Sequence, residues 1–356
     1  MGQPPEAPAR HALSSARPLG PCAESGPGRH GPSVPGRGRF APPRPRPAVE
    51  PSEVTPQSGV SSEGGDIVDR PLCVGVDGSE PSLRALDWAV DEAVAHGAPL
   101  RVVHSSRWAQ YESHEPSFGV KRGSFQVLAE HIVGSALARA ERRSAAVKAT
   151  SDMRADDPAA ALIEASPGAS AVVVGSRGRG ELTGLLLGSV GLAVAARAVS
   201  PVIVVRGEEA NQRRGFHRIV VGIDEPEESR AALEFALREA EVHGATLCMV
   251  HAWRCPAREI PDHPDHRADT EQHMRRAEEL LAAAVLLVGG ADRVADIRRE
   301  AVEGQARPAL LDAALTADLL VVGARRRTGH LGMQLGAVNH AVLHHAACPV
   351  AVVPHD

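Results

Sequence analysis

Ala171-Val-Val-Val-Gly175-Ser-Arg-Gly178, then nine residues, then Gly188-Ser189-Val190, is the stretch on which the reading of this chain turns. The short apolar run ending at Gly175 reads as a buried strand, and the amphipathic run from Ser189 to Val199 reads as a helix. A strand that ends without a Cβ at Gly175 would let a ligand approach the main chain. Gly178 would allow the loop a positive φ, so that successive amides point at one anion. Gly188-Ser189 opens the helix, whose free amides and positive end face the same place. The pattern predicts a phosphate cradle between strand and helix, with Val174, Gly175, Arg177, Gly178, Gly188, Ser189 and Val190 as its candidate residues. Two other nucleotide signatures are missing: no GxxxxGK[ST] loop occurs, and no G-x-G-x-x-G follows a first strand.

The chain repeats itself. Val74-Gly-Val-Asp77 returns as Val221-Gly-Ile-Asp224, His96-Gly-Ala98 as His243-Gly-Ala245, and Val103-His104 as Val250-His251, each 147 positions on. Val173-Val-Gly175, Gly188 and Ser200-Pro-Val202 return 148 positions on, as Val321-Val-Gly323, Gly336 and Cys348-Pro-Val350. A steady offset of this size means two duplicated domains, each large enough to bury its own core.

Within the first unit, strands are expected at Leu72 to Val76, Leu100 to Val103, 148 to 154, Ala171 to Val174 and Val202 to Val205. Helices are expected between them, the first carrying Leu83, Leu86, Ala89, Val90 and Ala93 and stopping at Gly97. Alternating strands and helices imply an α/β fold with a parallel sheet covered on both faces. Right-handed crossovers favour a doubly wound sheet of order 3-2-1-4-5. Its switch point lies between strands one and four, so Asp77 and the glycine loop would meet across one crevice.

Ahead of the repeats, residues 1 to about 69 hold half of the 28 prolines, with Gly, Ser and Arg filling most of the rest. A segment with so little apolar surface is expected to be disordered. It lacks the apolar core of a signal peptide, and no run of 18 apolar residues occurs anywhere. The five cysteines are odd in number and form no C-x-x-C pair, which favours reduced thiols and a cytoplasmic location. A net charge of -5 and 3% aromatic residues make nucleic acid an unpromising partner, and no membrane partner is expected.

The pattern resembles the universal stress protein A family over residues 70–206 and 216–354. The resemblance rests on Val74-Gly-Val-Asp-Gly-Ser79, the His-Gly-Ala boundary, and G-x2-G-x9-G-[ST] from Gly175 to Ser189. It implies two tandem five-stranded sheets of the adenine nucleotide alpha hydrolase-like kind, forming an intramolecular pseudo-dimer joined at the fifth strands. Two such chains could also associate as a homodimer through other faces. It further implies ATP in the crevice, often with Mg²⁺ or Mn²⁺. Gly175, Gly178, Gly188 and Ser189 would hold phosphates, Val76 and Val190 would line the site, and Ser105 would meet adenine through its backbone. Asp77 would lie near ribose and metal without ligating the metal directly; as a bare residue it reads equally as a helix cap. Arg177 and Arg179 read as counter-charges or as surface arginines, and His104 as a hydrogen-bonded structural histidine.

The second unit departs from the pattern. Arg326 stands where the second glycine should be, Ala337 replaces the serine, and Glu225-Pro226 follows Asp224. A degenerate site is expected there, with Arg325, Arg326 and Arg327 as candidates for a different anion. Three function classes follow: a regulatory ATP-binding protein of the stress response, a slow ATPase or nucleotidyl transferase, and a ligand-free interaction protein. No general base, lysine or arginine finger accompanies the cradle, so no catalytic residue is assigned and the first class is preferred.

Overall fold

The computed structural model describes residues 70–106, 124–177, 187–207, 209–212, 214–255, 266–289, 296–325 and 335–355. The N-terminal tail, Gly178, Arg179, Arg326 and Arg327 lie outside them. The first repeat runs β1 (Leu72–Gly75), α1 (Glu80–Ala95), β2 (Leu100–Ser105), α2 (Ser124–Arg143), β3 (Ala149–Arg154), α3 (Pro158–Ala165), β4 (Ala171–Gly175), α4 (Ser189–Arg197), β5 (Val202–Val205). A short α5 (Glu209–Gln212) lies in the linker. The second repeat runs β6 (Arg218–Gly222), α6 (Pro226–His243), β7 (Thr246–Trp253), α7 (His266–Leu287), β8 (Ile297–Glu303), α8 (Ala306–Ala313), β9 (Leu319–Arg325), α9 (Ala337–His345), β10 (Val350–His355).

Local chemistry explains the punctuation. Ser79 caps α1, its Oγ accepting from Ser82 N, with Pro81 in the first turn. Gly97 and Gly244, at φ 64° and 57°, take the left-handed conformation just past α1 and α6, where a side chain would be strained. Asp157 caps α3 through the amides of Ala159 and Ala160. The first strand is shorter than expected, ending at Gly75, with Val76 and Asp77 beyond it.

Each repeat has the order 3-2-1-4-5, and every pairing inside a repeat is parallel. The two sheets are fused into one of ten strands, β3-β2-β1-β4-β5-β10-β9-β6-β7-β8. The junction is antiparallel, with Val350 opposite Val204, Ala351 opposite Ile203 and Val352 opposite Val202. An edge strand leaves a row of main-chain groups unpaired, and pairing β5 with β10 satisfies both inner edges at once.

Alternation along the strands divides the core into two layers. Leu72, Val74, Ile203, Ile219 and Val221 face α1, α2, α6 and α7, while Val172, Val174, Val202, Val204 and Val350 face α3, α4, α8 and α9. Both layers draw residues from both repeats, so the apolar core is continuous across the junction. Two linker groups strengthen it. The Arg206 guanidinium donates to the carbonyls of Val342 and Leu343, and Asn211 Nδ2 donates to Ala317 O at 2.9 Å.

Candidate functional site

At the carboxyl ends of β1 and β4 the neighbouring connections leave in opposite directions and open a crevice. A cavity of about 340 Å³ occupies it. Val76, Asp77, Ser105, Val174, Gly175, Arg177, Gly188, Ser189 and Val190 all line this one cavity. The sequence-predicted residues of this site missing from the lining are Gly178 and Arg179, and both lie outside the described residues.

The cavity lining is chemically mixed. Val103, Leu162 and Val174 give it an apolar slot, and Asp77, Ser105 and Arg177 stand among its polar lining residues. Next to Val174, α4 begins after Gly188, which takes an extended conformation with no side-chain capping bond. The first-turn amides of Ser189, Val190 and Gly191 belong to the end of a helix that lacks intrahelical acceptors, so they favour an anion. The Gly188 amide itself is used, donating to Ser176 O at 2.8 Å. Arg177 is exposed beside the glycine loop, where its charge meets solvent.

Two residues do something other than expected. A Cβ at Gly175 would stand 2.6 Å from Pro81 O and 2.7 Å from Pro81 C. The missing side chain therefore makes room for the first turn of α1, and not only for a ligand. Asp77 is not the cap of α1; Ser79 is. The Asp77 carboxylate holds that cap, with Oδ1 accepting from Ser79 N at 2.9 Å and Ser79 Oγ at 2.6 Å. Ser105 Oγ donates to Asp156 O at 2.8 Å, tying β2 to the loop before α3. His104 is buried, and its Nδ1 donates to Val76 O at 2.7 Å. His251 repeats that bond with Ile223 O in the second unit. Both are structural histidines that anchor the chain leaving the first strand of their unit.

Sequence reasoning missed Pro158 and Leu162, which wall the cavity from α3, and Gly191 in the first turn of α4. Gly191 carries a readable signal, since the residue 148 positions on is Asn339. The buried Asn339 side chain donates to Gly323 O at 2.9 Å, the carbonyl equivalent to that of Gly175. In the first unit no side chain reaches from Gly191, and the matching volume stays open. Arg325 meanwhile pairs with Glu228 at 3.3 Å. The second crevice thus has a side chain in place of open space, and one of its arginines is already paired.

The described helices include none long and apolar enough to cross a membrane. The universal stress protein family model matches twice, over residues 70–206 and 215–354. A universal stress protein of Mycobacterium tuberculosis is 35% identical over 291 residues, covering 79% of this chain and 96% of its own length. One from Mycolicibacterium smegmatis is 32% identical with the same coverage. The crystal structure of a universal stress protein from Archaeoglobus fulgidus shares the fold at TM-score 0.57 and 21% identity, covering 80% of this chain and 98% of its own. Two matches of the family model, and relatives matched over almost their whole length, lead to one conclusion: the chain belongs to the universal stress protein family.

Proposed function

We propose that the first repeat binds ATP and that occupancy of this site, not turnover, is its function, as a nucleotide-dependent regulator in a stress response. The observation that carries the reading is the single cavity in which an apolar slot adjoins the N-terminal amides of α4. Its volume lies within the range of small-molecule sites, about 300–1,000 Å³. The slot formed by Val103, Leu162 and Val174 suits a flat base, and the amides of Ser189 and Val190 suit phosphate oxygens. Arg177 would add positive charge at the rim. Asp77 is the one carboxylate among the described lining residues. Its Oδ1 already serves Ser79, so Mg²⁺ or Mn²⁺ would be held by the phosphates, with Asp77 acting through water. When bound, that ion would neutralise phosphate charge.

Among the described residues, the lining includes no histidine, lysine or glutamate to serve as a base, which favours binding over hydrolysis. The second repeat is proposed to stay empty, because Asn339 occupies the matching space. The four cysteines among the described residues are buried and free, which agrees with a cytoplasmic location.

Transplanting the second repeat's residue tests the reading. A Cβ at Gly191 would meet Leu187 Cδ1 at 3.4 Å and Gly175 O at 3.6 Å, so Gly191→Asn should fold. Its amide should then bond Gly175 O and close the cavity. Calorimetry is expected to show one ATP per parent chain and none in the variant. Unchanged affinity in the folded variant would place the site elsewhere, and ADP accumulating on incubation would favour an enzyme.

A further inference from the structure

Away from the crevice, the C-terminal ends of α1 and α6 meet around a buried polar cluster. Each helix carries Glu-x3-His there, Glu92 with His96 and Glu239 with His243, at the repeat offset of 147. Residues four apart share a helix face, and the fused sheet brings the two faces together. His96 Nε2 lies 3.1 Å from Glu92 Oε1 and 3.3 Å from Glu239 Oε1. His243 Nε2 lies 3.2 Å from Glu92 Oε2 and 3.9 Å from Glu239 Oε2. One donor atom from each of the four side chains falls within 4.8 Å of the others. A tetrahedral site with bonds of 2.0–2.2 Å has edges of about 3.3–3.6 Å, so the four donor atoms, already within 4.8 Å of one another, need only small side-chain adjustments to close on one ion.

The geometry points to a binding site for a divalent transition-metal cation of the zinc class, held by Glu92, His96, Glu239 and His243 and clamping one repeat to the other. An independent observation asks for such a ligand. Glu239 is 3% exposed, and its Oε2 has no hydrogen-bond partner. A buried carboxylate oxygen without a partner is costly. Glu92 is served differently: the Arg214 guanidinium, reaching in from the linker and lying 4.9 Å over the Trp88 ring, pairs with its Oε2. The Arg214 guanidinium thus pairs with one of the two buried carboxylates and leaves Glu239 Oε2 without a hydrogen bond.

Hydrogen bonding between the four side chains cannot balance this. A neutral imidazole carries at most one proton on Nε2, yet each Nε2 faces two carboxylate oxygens. A metal ion serves all four groups at once, leaving the imidazole protons on Nδ1. The converging C-terminal ends of two helices add negative partial charge. Two nitrogens and two carboxylates suit zinc-class ions, whereas Mg²⁺ prefers six oxygens. A cavity of about 310 Å³ bordering Glu92, His96 and Glu239 offers a way in.

The test uses the full chain, stripped with EDTA and titrated with Co²⁺ while visible absorption is read. One Co²⁺ per chain with an intense tetrahedral spectrum, displaced by Zn²⁺, is expected. Glu239→Gln, which keeps the size and one acceptor oxygen but removes the charge, should weaken Co²⁺ binding at least about tenfold, since even an outer partner of a ligand costs that much. Zn²⁺ should raise the melting temperature of the parent and leave that of the variant unchanged. A parent chain that gives no tetrahedral spectrum at millimolar Co²⁺ overturns the proposal, as does a folded Glu239→Gln with parental affinity. Anomalous diffraction from Zn²⁺-soaked parent crystals needs no variant. A peak among the four side chains supports the site, and peaks only elsewhere, such as at His340 and His344, overturn it.

Discussion

Replacing Gly175 by alanine separates two reasons for a missing side chain, ligand access and helix packing. A Cβ there would lie 2.6 Å from Pro81 O, 2.7 Å from Pro81 C and 3.0 Å from Ser82 N. These are main-chain atoms of the first turn of α1, so nothing flexible can swing aside. Comfortable contact between carbon atoms begins near ~3.5 Å, so that turn must retreat by on the order of 0.5–1 Å. Overpacking of this kind costs about 1–3 kcal/mol. In a domain of 150–250 residues each kcal/mol lowers Tm by roughly 2–4 °C. Gly175→Ala should therefore melt several degrees below the parent. The control is Gly323→Ala in the second repeat, whose Cβ would meet only His355 Cδ2 at 3.4 Å, His355 Nε2 at 3.6 Å and Glu228 O at 3.7 Å. These are ordinary contacts, and its Tm should move by less than about 2 °C. Because α1 starts at the Asp77–Ser79 turn on the cavity wall, its retreat should also weaken ATP binding. Scanning calorimetry of both variants, with and without ATP, reads both effects. Equal melting shifts for the two variants would refute the packing argument. Lost stability with full ATP affinity would detach α1 from the site.

Ser79→Ala should cost about 1 kcal/mol in urea denaturation by removing the α1 cap, with Ser79→Asn restoring most of it; an alanine variant as stable as the parent would mean the cap is idle. The continuous sheet and shared core layers predict one calorimetric transition for the folded repeats, with equal calorimetric and van't Hoff enthalpies, and two resolved transitions would contradict it. Burial pushes the thiols of Cys73 and Cys248 up to about 11 and that of Cys348 up to about 12. The unfolded chain, with thiols near 9, releases those protons first, so stability is intact below pH 9 and falls as the pH rises through 9 toward 11. The loss is about 1 kcal/mol per thiol by pH 10. A variant with alanine at all three positions should show a shallower alkaline decline, and an identical decline would sink this account.

Several elements were legible because their signals act locally. Pro158 and Pro201 fix where α3 and β5 begin, Gly97 and Gly244 end their helices, and the apolar alternation of Val202 to Val205 supplies both faces of a buried strand. The duplicated motif, read together with the handedness of crossovers, was enough to set the strand order and to bring Asp77 to the glycine loop. Those inferences need only short-range stereochemistry and chain connectivity, which a sequence carries in full.

Other facts depend on which atoms face each other once the sheet has closed. Nothing near Gly175 in the chain says that Pro81, 94 positions earlier, needs its space. Asn339 looks like an ordinary helix residue until its amide is seen on Gly323 O. The two Glu-x3-His pairs lie 147 positions apart in the chain. Only the antiparallel joining of β5 to β10 carries α1 and α6 together and buries Glu92 against Glu239. Sequence alone determined the fold, the duplication and the place of the crevice, because periodicity, turn chemistry and connectivity are local. The tertiary structure decided what fills each glycine's missing volume and which charges share a buried space, because both are set by contacts between segments far apart in the chain.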